Sequence, residues 1–295
     1  MAISTGGGFG AAKQMLLEEA LSEWASWTGD GESKRMLTSR EPELVRTFTA
    51  GLNHAAALIR LDDELAVLKV FSQPASVELI NHHWAANLGL APQLLYTDAD
   101  KRYAVMELAQ GSELSPGEVT KEQLGFIARS LSKLHEADHK TLEQRGFDIQ
   151  AFCAQYLEHA GAQAMAFHQE IEPLLVEFKN DSTSWCFCHN DLVVANCFVS
   201  EQAAMFIDWE YADYHNPWFD LAAIIYYFRL SSPQIKLFLR EYGRVVVSDR
   251  IISLSQVALL WGDMLWHLAK FGEAYWSQLS QKKADLTILL DCLKT

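Results

Sequence analysis

His189-Asn190-Asp191-Leu192-Val193-Val194-Ala195-Asn196, followed by Phe206-Ile207-Asp208-Trp209-Glu210, is the stretch that decides how this 295-residue chain is read. The order is a histidine, an aspartate two positions on, an asparagine five positions after that aspartate, and a second aspartate closing a short apolar run. Between the two blocks, residues 197–199 and 204–207 are apolar and Ser200-Glu201-Gln202 separates them, which predicts a small hairpin. Such a hairpin carries Asn196 on one side and Asp208 on the other.

The chemistry that suits these residue types is phosphoryl transfer. That reaction needs an acceptor oxygen held in line and a metal that absorbs charge on the phosphates, with little covalent help from protein. Asp191 is a carboxylate able to accept the proton of an incoming hydroxyl. Asn196 and Asp208 offer the hard oxygen ligands that magnesium prefers.

Working outward, residues 43–71 hold three short apolar runs separated by Gly51-Leu52-Asn53-His54 and Asp62-Asp63-Glu64. That pattern predicts an antiparallel meander. Pro74 opens a helix to about Leu88, with Gly89 as its stop and Pro92 beyond. Two more short strands follow, over 93–96 and 103–108. Ahead of the meander, apolar positions at helical spacing predict a helix over 11–28 with Gly29 as its stop. After Gln110-Gly111 the pattern is helical, with helices expected near 120–138, 149–160, 164–179, 217–229, 232–243, 254–271 and 275–292. The fold class is therefore α+β. A small antiparallel β lobe spans 1–109 and a large α-helical lobe spans 110–295.

At this point the chain resembles a known group. His189-x-Asp191-x-x-x-x-Asn196 with Asp208 is similar to the catalytic and metal-binding motifs of the protein-kinase-like fold. Ile207-Asp208-Trp209-Glu210-Tyr211 and Asn216-Pro217-Trp218-Phe219-Asp220-Leu221-Ala222 resemble more specifically the choline, ethanolamine and thiamine kinases, which group with the aminoglycoside phosphotransferases. The resemblance covers roughly 44–270. It implies a bilobal kinase-like fold, ATP and Mg2+ as cofactors, Asp191 as catalytic base, Asn196 and Asp208 as metal ligands, and Asp220 as a brace for the catalytic loop. It also implies that Lys69, on the third strand, binds the α/β-phosphates and that Glu78, on the next helix, orients it. Gly51 and Asn53 would lie in the phosphate turn. Met106, Glu107 and Ala109 would line the adenine pocket, the last two through backbone groups.

The departures narrow the substrate. There is no G-x-G-x-x-G loop, Asn190 stands where protein kinases carry arginine, Asp208-Trp209-Glu210 replaces Asp-Phe-Gly, and no Ala-Pro-Glu element follows. The acceptor expected is a small-molecule alcohol. The C-terminal helices mix aromatic residues such as Tyr227, Trp261 and Trp266 with Glu210, Asp213, Asp263 and Glu273. Organic cations bind over aromatic faces beside a carboxylate. Glu210, Trp261 and Trp266 are therefore the substrate candidates, with choline or ethanolamine first, then thiamine, then an aminoglycoside or sugar alcohol.

Rival readings of the same residues fare worse. Cys186, Cys188, His189, Asp191 and Cys197 have poor spacing for tetrahedral zinc. Cys186 and Cys188 read instead as small apolar residues alternating on a buried strand. Neither G-x-S-x-G nor a Walker G-x-x-x-x-G-K-[ST] occurs. A catalytically silent kinase-like binding protein is the remaining alternative of another class.

Composition sets the outer limits. The net charge of −14, from 38 acidic against 24 basic residues, argues against a nucleic-acid partner, since phosphate neutralisation needs clustered lysine and arginine. Apolar stretches read as too short or too interrupted to span a bilayer. Residues 1–10 read as a Gly-rich leader without the pattern of a signal peptide. Five cysteines, an odd number in a long chain, argue against a disulfide framework and point to a reducing cytoplasm. A monomer or homodimer without membrane partners is the expectation.

Overall fold

The computed structural model describes residues 7–27, 37–48, 53–138, 146–243 and 248–294. The leader through Gly6, the Gly29 stop and Gly51 of the phosphate turn lie outside the described residues. The chain divides into two compact units, 1–111 with 205–210, and 112–204 with 211–295.

The first unit is built on a five-stranded antiparallel sheet. Its strands are β1 (Glu43–Phe48), β2 (Ala55–Leu61), β3 (Glu64–Val70), β4 (Leu94–Thr97) and β5 (Tyr103–Glu107), in the order β1-β2-β3-β5-β4. Strict alternation along β2 and β3 sorts side chains to the two faces. On one face Ala57, Ile59, Ala66, Leu68, Tyr103 and Val105 pack beneath Leu17 and Ala20 of α1 (Gly7–Ser22) and Trp27. On the other, Val67, Ala104 and Met106 pack with Phe71 and with Leu79 of α2 (Ser76–Asn87). The expected leader thus partly belongs to α1, which starts at Gly7. Gly89, at φ +70°, closes α2 in a left-handed turn, with Gly89 N–H donating to Ala86 O at 2.8 Å and Leu90 N–H to Ala85 O at 2.9 Å. Two of the carbonyls left open at the end of the helix are thereby satisfied.

The second unit is mostly helical. Its helices are α3 (Lys121–Glu136), α4 (Ile149–Leu157), α5 (Ala162–Lys179), α6 (Trp218–Tyr227), α7 (Ser232–Tyr242), α8 (Asp249–Phe271) and α9 (Ser280–Lys294). α8 is the central element, packed on by α4, α5, α6 and α9. By length and composition it is apolar enough to cross a membrane, which corrects the sequence expectation. Its apolar residues are spent on the core, where Val257, Ala258, Leu260, Trp261, Leu265 and Leu268 are fully buried.

α3 begins in a reciprocal cap. Gln123 N–H donates to Thr120 Oγ1 at 3.2 Å and Thr120 N–H donates to Gln123 Oε1 at 2.9 Å. Thr120→Ala removes one of these bonds and is expected to cost about 1 kcal/mol, read as a lower urea midpoint at unchanged slope.

Short strands frame the catalytic motif. β6 (Ser112–Glu113) pairs with β8 (Cys197–Val199), and β7 (Cys186–Cys188) pairs with β10 (Asp213–His215), both antiparallel. β8 turns through Ser200, whose N–H donates to Ala203 O at 3.0 Å, into β9 (Ala204–Phe206).

Candidate active site

In the first unit the site grows from β3. Alternation that buries Ala66, Leu68 and Val70 on the α1 side turns Lys69 towards α2. Lys69 Nζ donates to Glu78 Oε1 at 2.5 Å and to Asp208 Oδ1 at 2.8 Å. Glu78 sits in the first turn of α2, where the positive end of the helix favours a carboxylate. Asp208 arrives on the 205–210 segment at φ +67°, a left-handed conformation that aspartate tolerates better than most residues. Burial opposes the charge on Lys69, but Asp208 and Glu78 more than offset it, and its pKa lies above the usual lysine value. Burial likewise pushes the Glu78 carboxyl up, against the downward pull of Lys69.

His54 joins this cluster without having been singled out in the sequence. Its Nδ1 accepts the Ser72 N–H at 3.3 Å, and its ring meets Phe71 edge-on at 5.3 Å. Its Nε2 lies 3.9 Å from Glu78 Oε2 and 3.7 Å from Glu210 Oε2. Asn53 Nδ2 donates to Glu210 Oε2 at 3.3 Å, so residues read separately as phosphate turn and substrate contact are joined. The available signal for His54 was its position beside Asn53 at the mouth of β2. Met106 is buried on the α2 side of β5, Glu107 ends that strand with its N–H donated to Gln93 O at 2.9 Å, and Ala109 follows it half-buried.

In the second unit the catalytic motif is a braced loop. Asp220, buried in the first turn of α6, accepts the backbone N–H of His189 and of Asn190, each at 2.8 Å, and His135 Nε2 lies 3.0 Å from it. Burial pushes the Asp220 carboxyl up, but bonds from His135 and the loop N–H groups more than offset this, and its pKa is lowered. Asn190, at φ +63°, donates through Nδ2 to Tyr211 O at 3.0 Å and Asp213 O at 3.3 Å, and its Oδ1 pairs with His215 Nδ1 at 3.0 Å. Burial lowers the His215 pKa to about 4, so its ring is neutral and donates that bond. A carboxamide therefore does here by hydrogen bonding what a charged residue at 190 would have to do with an extra buried partner. The next residue, Asp191, is half-exposed and faces Asn196, whose Nδ2 donates to Asp191 O at 2.9 Å and to Asp191 Oδ2 at 3.0 Å. His189 is fully buried, and its Nδ1 accepts the Asp191 N–H at 3.3 Å, which suits it to shaping the loop.

Asp220→Asn exchanges an acceptor-only carboxylate for a group that must turn an N–H2 toward donors. The expected loss is about 3 kcal/mol. The sign of its pH dependence follows from the lowered pKa. The carboxylate's stabilisation is complete above the ordinary carboxylate range and is lost as pH falls through its lower folded value. Thermal melts from neutral to acid pH should therefore show a steeper acid decline for wild type than for Asp220→Asn.

One expectation needs correction. Trp261 is fully buried in α8, its Nε1–H donates to His168 Nδ1 at 2.9 Å, and its ring packs against Phe167 and His168. It is helix-packing core and presents no face to a substrate. Asp213 accepts the Gly146 N–H at 3.2 Å and the Tyr214 N–H at 2.7 Å, so it anchors a turn. Trp266 remains half-buried, with Lys270 Nζ 4.6 Å over its ring. The thiols of Cys186 and Cys188 do approach His135, but both ring nitrogens of His135 are engaged, by Asp220 and by Tyr242 OH at 2.7 Å. No nitrogen is left for a metal there.

The sequence matches the phosphotransferase enzyme family (APH) over residues 44–251, which include the Lys69 strand, the braced loop and Asp208. The chain belongs to the phosphotransferase enzyme family. It is similar to Protein LicA of Haemophilus influenzae, 42% identical over 55 residues, which are 19% of this chain and 21% of that one. It is also similar to the Protein LicA homolog of Metamycoplasma hominis, 27% identical over 161 residues, 53% of this chain and 62% of that one. The matched segments thus span less than two thirds of either relative's length. Among solved structures, choline kinase LicA from Streptococcus pneumoniae superimposes with a TM-score of 0.72 at 20% identity, covering 92% of this chain and 99% of that one. The chain therefore has the protein-kinase-like fold.

Each unit offers an oxygen donor of the kind that magnesium takes. Asp208 offers a carboxylate, and Asn196, whose N–H2 is spent on Asp191, has its carboxamide oxygen as the remaining ligating group. Both are hard oxygen donors, and neither is a thiol or imidazole that would select another metal.

Proposed function

We propose that this phosphotransferase moves the γ-phosphate of ATP to a hydroxyl of a small-molecule alcohol, with choline or ethanolamine first among acceptors. The observation that carries the reading is the Lys69 ammonium held between Glu78 and Asp208. A fixed cation beside a metal-ligating carboxylate is what a polyphosphate needs.

In this reading Lys69 binds the α/β-phosphates and Glu78 keeps it aimed. Gly51 and Asn53 belong to the phosphate turn, and Met106 with the backbone of Glu107 and Ala109 receives the adenine. Asn196 and Asp208 hold Mg2+, which neutralises charge developing on the phosphates. Asp191 accepts the acceptor's proton, with Asn196 fixing its carboxylate. Glu210 and Trp266 are the substrate-side residues. Choline is supported by the name of the solved relative and by the aromatic and acidic residues of the second unit. Thiamine and an aminoglycoside follow. ATP use and an odd number of cysteines in a long chain suit a reducing cytoplasm.

The test is release of ADP from Mg2+ and ATP in the presence of choline, ethanolamine, thiamine, aminoglycosides and sugars in turn. One acceptor should raise the rate well above the ATP-only background, and chelation should abolish that rise. A background rate with every alcohol, together with measurable ATP binding, would favour a silent binding protein.

A further inference from the structure

The carboxylate of Asp263, on α8, is ringed by donors. Tyr227 OH donates to its Oδ2 at 3.0 Å, and His267 Nδ1 lies 2.8 Å from its Oδ1. Lys282 Nζ, from α9, donates to Oδ2 as well. The same ammonium stands 5.8 Å from the centre of the Tyr227 ring. It rests between a carboxylate and an aromatic face, the arrangement in which organic cations are held.

The cluster is shallow and wet on one side. The side chains of Asp263, His267 and Lys282 are 17%, 21% and 25% exposed. Burial pushes the Tyr227 hydroxyl well above its usual pKa, Asp263 adds to this, and Asp191 contributes a further share. Burial alone would raise the Asp263 carboxyl, but His267 and Lys282 overcome it and lower its pKa, so it stays an anion.

We propose that Lys282 is a tethered ammonium that occupies the cation position made by Asp263 and Tyr227 and competes with any free organic cation for it. A tethered group acts at an effective concentration of order millimolar or more, so a free ligand must displace it at a disadvantage. A quaternary ammonium has no N–H with which to replace the bond to Asp263, and the competition bears on it hardest. The meaning of this for catalysis rests on the phosphotransferase reading above. The binding competition itself does not.

The experiment is calorimetric titration of tetramethylammonium into the full chain. Wild type, Lys282→Met, Lys282→Gln, Lys282→Arg and the double variant Lys282→Met/Asp263→Asn are compared, each checked for an intact melt. The two neutral single variants should bind about tenfold tighter than wild type or better. Lys282→Arg should bind as weakly as wild type, and the double variant should lose the gain. Equal affinity of wild type and both neutral variants would overturn the proposal, as would a gain that survives in the double variant. Parallel ADP-release assays keep the two readings apart. Absence of turnover with every alcohol would remove the phosphotransferase assignment and leave the titration result standing.

Discussion

Asp191→Asn should lower turnover by roughly a hundred- to ten-thousandfold, the range seen when a positioned general base is lost, while ATP binding and the thermal midpoint stay close to wild type. The separation of these effects follows from how the loop is held. Its shape depends on Asp220 through two backbone N–H groups and on Asn190 through three bonds to the β10 segment. The Asp191 side chain contributes to it through the Asn196 contact at 3.0 Å. An asparagine carbonyl at 191 can accept that same N–H, so the loop keeps its scaffold and loses the proton acceptor. Steady-state kinetics beside a thermal melt and an ATP titration give the comparison. Survival of more than about a tenth of the activity would remove Asp191 from the role of base.

Lys69→Met should raise the KM for ATP by about ten- to a hundredfold, the equivalent of losing a charge-assisted hydrogen bond of roughly 1.5–3 kcal/mol. The KM for the acceptor should change far less. Stability complicates the single variant, because Glu78 would be left as a buried carboxylate without its ammonium partner. Breaking a buried pair from one side costs about 3–5 kcal/mol, whereas removing both charges is close to neutral. Lys69→Met/Glu78→Gln should therefore melt near wild type and still bind ATP weakly. A double variant that regains ATP affinity along with stability would show that the lysine serves the fold and not the phosphates.

The elements that carry the site were legible because their patterns are local. Alternation along 64–70 placed Lys69 opposite the buried Leu68, and Pro74 with Gly89 bracketed the helix that bears Glu78. The helix near 120–138 was readable in the same way. Strands β6 and β10 were not, since two or three residues of mixed polarity carry no period and exist through the pairing of β6 with β8 and of β10 with β7. Trp261 shows the limit for aromatic residues. Helical spacing puts a ring on a helix, but only the packing of α5 against α8 decides that this one is core. His135 lies on the helix expected near 120–138, yet its bond to Asp220 spans 85 positions. The Asp263–Lys282 pair joins two helices and has no sequence signature. His54 carries no local signature, since its neighbours Glu78 and Glu210 lie far along the chain.

Phosphorus NMR of the wild-type chain incubated with ATP, Mg2+ and the preferred alcohol tests the central assignment most directly. A phosphate monoester of that alcohol should appear in step with ADP, vanish on chelation, and be undetectable with Asp191→Asn or Asp208→Asn. ADP accompanied by inorganic phosphate alone, or ester formation that persists in both variants, would contradict the account.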